Sequence, residues 1–176
     1  IAIRIARGTT GKDKVLFCGY HGWHDWYLAA NLAGSDLDPH LFPGIDPTGV
    51  PLALKDTAIP FPYGDLETLE ELLRTNCDDI AAIIMEPLRS EMPPHGYLKR
   101  VRELATEFGV VLIFDEVSSG FRPTISGIQP LVNVEPDMAV FAKSISNGYP
   151  MGAVVGTRAV MQPASQMFIS STYWSD

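Results

Sequence analysis

Four polar residues stand in comparable places along the chain, each just past a short apolar run. Tyr20 follows residues 15–18, Glu86 follows 80–85, Asp115 follows 110–114 and Lys143 follows 138–141. Together they supply a flat aromatic ring, two carboxylates and an amine. A lysine amine in apolar surroundings can attack an aldehyde to form a Schiff base. A carboxylate at a buried strand end is costly unless a cation or a strong donor answers it. Each residue also has an ordinary reading. Lys143 can snorkel out from a strand end, Asp115 can cap a turn or pair with Arg122, and Glu86 can cap a helix. Ser144, Ser146, Asn147 and Gly148 follow Lys143 and set it on a tight, turn-rich loop.

The elements that position these residues repeat one pattern: apolar run, Gly/Pro/Asp-rich turn, amphipathic helix. Helices are expected over residues 65–74, with Leu66, Leu69, Leu72 and Leu73 on one face, and over 98–108, where Gly109 stands ready to end the helix. Residues 1–7 read as the tail of another amphipathic helix. Strands are expected at 15–18, 80–85, 110–114, 138–141 and 152–156, with one more short strand at 167–170. Residues 34–64, rich in Gly, Pro and Asp, read as a long irregular excursion of the kind that carries function. Apolar strands without alternation, separated by helices, imply an α/β fold whose mostly parallel sheet is covered on both faces. Ligands of such sheets bind beyond the carboxyl ends of the strands, so the four polar residues converge on one crevice.

Bulk properties narrow the function classes. A chain of 176 residues with 46% hydrophobic and 19% charged residues suits a folded domain with a real core. The net charge of −8 argues against non-specific binding to nucleic acid or anionic membranes. No run approaches the ~18 apolar residues of a membrane-spanning helix. Cys18 and Cys77 are too few and too far apart for a disulfide framework, and read as reduced cytoplasmic thiols. His21, His24 and Asp25 offer metal-ligand types, but nothing supplies a clear third ligand, so no metal is expected. Walker-type and dinucleotide-type glycine loops and a Gly-x-Ser-x-Gly elbow are absent.

A pyridinium nitrogen would answer the buried Asp115, and pyridoxal phosphate needs that nitrogen protonated to act as an electron sink. Lys143 would then bond its aldehyde, and Tyr20 would stack on its ring with His21 alongside. Trp23, Trp26 and Tyr27 read as packing or channel residues. Glu86 reads either as an acid near the cofactor's phenolic oxygen or as a capping carboxylate.

Four ordered segments resemble the class III aminotransferases of fold type I, and within them the glutamate-1-semialdehyde aminomutase-like group. They are Tyr20-His21-Gly22, Met85-Glu86-Pro87, the run from Asp115 to Arg122, and the run from Ala142 to Pro150. The resemblance covers nearly the whole chain. It implies a large pyridoxal-phosphate-binding domain of which residues 1–176 are the central part. The N-terminal phosphate-binding loop and the C-terminal small domain would lie outside this stretch. The resemblance also implies that Lys143 and Asp115 are catalytic, and that Tyr20, His21, Glu86 and Val117 surround the cofactor. Thr172 would grip the phosphate of a neighbouring subunit's cofactor, which implies a homodimer with shared sites. Residues 88–94 depart from the commoner Gly-rich version, which leaves the substrate open. The expected reaction moves an amino group between an amine or amino acid and a carbonyl acceptor. An intramolecular aminomutase uses the same residues. A non-catalytic relic of the fold is the distant alternative, and the retention of both Lys143 and Asp115 speaks against it.

Overall fold

A computed structural model of the chain describes residues 1–171. Its centre is a six-stranded sheet in the order β2-β1-β3-β4-β5-β6. The strands are β1 (Lys14–Cys18), β2 (Ala58–Pro60), β3 (Ile80–Met85), β4 (Val111–Asp115), β5 (Met138–Phe141) and β6 (Ala153–Gly156). All neighbours run parallel except β5 and β6, which are antiparallel. The sheet is therefore mostly parallel, as the unbroken apolar runs imply.

Those runs lack alternation because both faces of the sheet are covered. Successive side chains of a strand point to opposite faces. Val15, Phe17, Ala82, Ile84, Val111 and Ile113 enter one apolar layer, shared with Ile3, Ile5 and Ala6 of helix α1 (Ala2–Thr10). Leu16, Cys18, Ile83, Met85, Leu112 and Phe114 enter the other. That second layer is closed by α3 (Leu66–Thr75) and α4 (Tyr97–Glu107), which follow the short α2 (Asp25–Leu28) in the chain. A polar residue within these strands would face an apolar layer on either side, so the polar residues collect at the strand ends.

Helix ends follow local chemistry. Asp65 caps α3 by accepting from the Thr68 amide at 2.9 Å. Gly109, at φ +63°, turns the chain after α4 so that the Val110 amide reaches the Ala105 carbonyl at 2.9 Å. The chain then enters β4 directly.

Two expectations are corrected. Residues 167–170 form no strand: Ile169 and Met167 pack against the layer that holds α1, outside any ladder. The excursion over 34–64 is not wholly irregular, since it contributes edge strand β2, which extends the ladder through Val15–Ala58 and Leu16–Ile59 pairing. It also buries Leu37 and Val50 in the core. The helices α5 (Gln129–Val132) and α6 (Arg158–Met161) are single turns too short to leave a periodic signal. No helix among the described residues is long and apolar enough to cross a membrane.

Candidate active site

The order of the sheet reverses at β1, which has β2 on one side and β3 on the other. Crevices of open α/β sheets form at such reversals, beyond the carboxyl ends of the strands. A cavity of about 720 Å³ opens there. Tyr20, His21, Glu86, Asp115, Val117 and Lys143 all line it, so the structure brings together every described residue expected at the site. Thr172 lies outside the described residues.

The Asp115 end is the more tightly built. The Asp115 side chain is 12% exposed, and its Oδ2 lies 2.8 Å from Nδ1 of His21, whose own side chain is 1% exposed. Its Oδ1 accepts from the Val117 amide at 3.1 Å. Asp115 therefore does cap a turn, and its side-chain partner is His21 in place of Arg122. The other nitrogen of His21, Nε2, lies 3.1 Å from the Cys18 carbonyl. Both ring nitrogens thus face acceptors, a carboxylate on one side and a carbonyl on the other. Trp26 stacks on His21 with centroids 6.2 Å apart and planes 27° from parallel, which holds the ring in place. Trp26 also lines the cavity.

The turn after β1 is held by side chains reaching from elsewhere. Glu86 Oε2 accepts from the Tyr20 amide at 3.1 Å, and the Arg89 guanidinium lies 3.6 Å from the same oxygen. The capping role of Glu86 is therefore served at a turn, not at a helix, and its carboxylate still borders the cavity. Tyr27 donates its hydroxyl to the Gly19 carbonyl at 2.9 Å. Gly19 sits at φ +105°, and a Cβ there would come within 2.5 Å of Glu86 Oε2, so only glycine fits between strand and carboxylate. Burial pushes the phenol of Tyr27 well above the usual tyrosine range, with the Glu86 and Tyr20 charges adding to it, so it stays a neutral donor.

The Lys143 end is more open. Lys143 follows β5 in a short 3-10 turn over Lys143–Ile145, with φ +49°. A non-glycine residue in this left-handed region carries backbone strain of order 1–3 kcal/mol, and such strain collects at functional positions. The lysine is exposed to the cavity, and its Nζ donates to Ser118 Oγ at 2.7 Å. The apolar enclosure expected of its amine is replaced by this hydroxyl contact. Ser118 lies within the segment after β4, and only the pairing of β4 with β5 brings it to the lysine, so nothing in its local sequence marks it.

Glu116 is a second residue that sequence reasoning missed. It follows Asp115 yet is wholly buried on the other side of the strand end. Its carboxyl accepts from the Ser119 hydroxyl and from the Ile128 amide, the latter at 2.9 Å. Burial raises its pKa above the usual carboxylate range. It thereby ties the two ends of the loop that carries Val117 and Ser118 into the cavity. The only signal in the sequence is the adjacent Asp-Glu pair. Among the described residues no group of three His, Cys, Asp or Glu side chains gathers in a metal-binding arrangement.

An amine and a paired carboxylate thus face one cavity from neighbouring strands. The family model of class-III aminotransferases matches residues 1–176, the full length of the chain. The chain belongs to the class-III aminotransferases. Among curated relatives, this class-III chain is 41% identical to a 3-aminobutyryl-CoA aminotransferase of Cloacimonas acidaminovorans over 99% of its length and 40% of the relative. It is 43% identical to a glutamate-1-semialdehyde 2,1-aminomutase of Cytophaga hutchinsonii over 93% of its length and 39% of the relative. It therefore spans about 40% of the length of the curated relatives it matches. Among solved structures, a transaminase with PLP bound superposes with TM-score 0.82 at 30% identity, over 98% of this chain and 42% of that one. An omega-transaminase of Sphaerobacter thermophilus gives TM-score 0.74 at 32% identity, over 91% of this chain and 38% of that one. The fold type I architecture expected of the class-III sequence is that of these neighbours.

Proposed function

We propose that the cavity binds pyridoxal phosphate and that the protein moves an amino group between an amine or amino acid and a carbonyl acceptor. The observation that carries this reading is the placement of Lys143 and of the His21-paired Asp115 on one cavity at the carboxyl ends of β5 and β4. The donor set fits the group. A carboxylate fixed by His21 and the Val117 amide matches a ring N–H⁺, and an amine reachable from solvent matches an aldehyde. When bound, the cofactor supplies the electron sink that makes a proton on the substrate carbon removable.

The residues of the chain have the following parts. Asp115 would hold the ring nitrogen in its protonated form, and His21 would keep the Asp115 carboxylate oriented. Val117 and Tyr20 would bound the ring on its two faces. Glu86 would border its hydroxyl. Lys143 Nζ would hold the aldehyde covalently and, once released by an incoming amine, would accept and return a proton. Ser118 would keep that amine in reach of the cavity.

A second reading, intramolecular aminomutase, uses the same residues and is favoured by the 43% identity to the Cytophaga relative. Single-turnover chemistry separates the two. A transaminase given an amino donor but no acceptor should release one equivalent of carbonyl product. An aminomutase should isomerise its substrate and release none. Production of neither would sink both readings.

We further propose that residues 1–176 are the central part of a large cofactor-binding domain, a reading supported by the share of each relative that the chain spans. A homodimer completed by Thr172 of each subunit rests on the motif resemblance alone. A cytoplasmic setting is supported by the two free thiols, Cys18 buried and Cys77 exposed.

A further inference from the structure

The excursion over residues 34–64 reaches back to the turn after β1 through His40. His40, 9% exposed, lies with its Nδ1 3.3 Å from the Gly19 amide and accepts its hydrogen. Its ring packs on Phe17 with centroids 5.4 Å apart. Gly19 is buried at the end of β1, one residue before Tyr20 and two before His21. Past Cys18 its amide has left the strand ladder, so the acceptor has to come from a side chain. The peptide groups of this turn are thus fixed from three directions. His40 takes the Gly19 amide, Tyr27 serves the Gly19 carbonyl, and Glu86 takes the Tyr20 amide. The first of these comes from the excursion, far from the motifs that mark the family.

We propose that His40 is a positioning residue, whose Nδ1 holds the Gly19 amide and so fixes the turn that presents Tyr20 and His21 to the cavity. The proposal rests on the cofactor reading above for its consequence, though the hydrogen bond itself does not. A buried amide left without an acceptor is costly, which lets the turn seek another arrangement. His40 can play this part only while Nδ1 is unprotonated. The charged and titratable groups facing it are Arg89 from the segment after β3, His21 from the turn after β1 and Asp36 from its own excursion. Burial, then Arg89 and His21, hold its pKa below the ordinary histidine value, against the smaller pull of Asp36. The folded value is depressed, so the neutral form, and with it the hydrogen bond, is present at neutral pH. It is lost only as pH falls through that depressed value.

Two variants of the intact protein test this. His40→Leu keeps the apolar packing and removes the acceptor. His40→Asn places an oxygen near the Nδ1 position and does not titrate. Hydrogen–deuterium exchange of the Gly19 amide in the cofactor-free protein reads the bond directly. Protection should fall roughly tenfold or more in His40→Leu and return in His40→Asn. Pyridoxal phosphate affinity, titrated by fluorescence from about pH 8 to about pH 5, reads the consequence. His40→Leu should bind about tenfold more weakly at the alkaline end, and His40→Asn within about threefold of wild type. The ratio of wild-type to His40→Asn affinity should fall at the acid end. A generic packing role would show neither rescue by asparagine nor that pH-dependent ratio. Unchanged Gly19 protection in His40→Leu, or in His40→Asn an acid limb identical to wild type, would overturn the proposal. If wild type itself takes up no cofactor, the functional reading fails while the exchange data still decide the role of His40.

Discussion

At one end of the cavity Asp115 is gripped by His21 and the Val117 amide, and His21 is gripped in turn by the Cys18 carbonyl and the Trp26 ring. At the other end Lys143 stands exposed, with one hydroxyl contact and a left-handed backbone. The carboxylate end lies between β4 and the turn after β1, where the side chains of His21 and Asp115 are 1% and 12% exposed. The amine end lies where β5 meets β6, a strand whose residues are half-buried or exposed. The difference teaches a division of labour. On the proposed function, the carboxylate that would hold the ring is fixed by many contacts. On the same reading, the amine that would bond, release and move a proton is left with few contacts to break.

Substitutions at the two ends should therefore separate activity from stability. The largest effect on rate is expected for Lys143→Ala, which should lower turnover at least ~10³-fold while moving the melting temperature by no more than about 2 °C. Steady-state kinetics and thermal melts of the same preparation check both halves. A large loss of stability would show that the amine end is as built-in as the other. Asp115→Asn should lower the rate on the order of 10²-fold or more, and should also cost about 1–3 kcal/mol of stability through the His21 contact. Denaturant unfolding measures that second effect, and its absence would erase the contrast between the ends.

Glu116 sharpens the comparison because it neighbours Asp115 yet has no cation beside it among its hydrogen-bond partners. Its folded pKa is raised by burial, so the folded state holds its proton more tightly than the unfolded state does. Its contribution is therefore fully present below the unfolded carboxylate value. It declines as pH rises through the raised folded value. Glu116→Gln should flatten that part of the stability–pH curve, as measured by unfolding across mildly acidic to neutral pH. The smallest effect belongs to Ser118→Ala, which removes one solvent-exposed hydrogen bond to Lys143 and should change kcat by no more than about threefold.

The parts of this arrangement that could be read from the sequence are those in which one strand end declares itself. The runs before Tyr20, Glu86, Asp115 and Lys143 are apolar because both sheet faces are covered, and the first polar residue after each run marks the crevice. Contacts between segments could not be read that way. Ala58-Ile59-Pro60 is too short and ends in proline, so edge strand β2 was hidden within the excursion. Residues 167–170 carry a strand-like composition, but they pack beside α1 and find no ladder to join. His40 and Ser118 acquire their partners only when distant segments fold together. Glu116 looks like half of an acidic pair until the twist of the chain after β4 sends it into the core.

The central claim is that Lys143 is the amine that holds the cofactor. Borohydride reduction of the intact protein after addition of pyridoxal phosphate, followed by peptide mapping, tests it most directly. The predicted result is a pyridoxyl group on Lys143, absent from the Lys143→Ala protein. Stable labelling of another lysine in its place, or no label on the folded, intact protein, would contradict it.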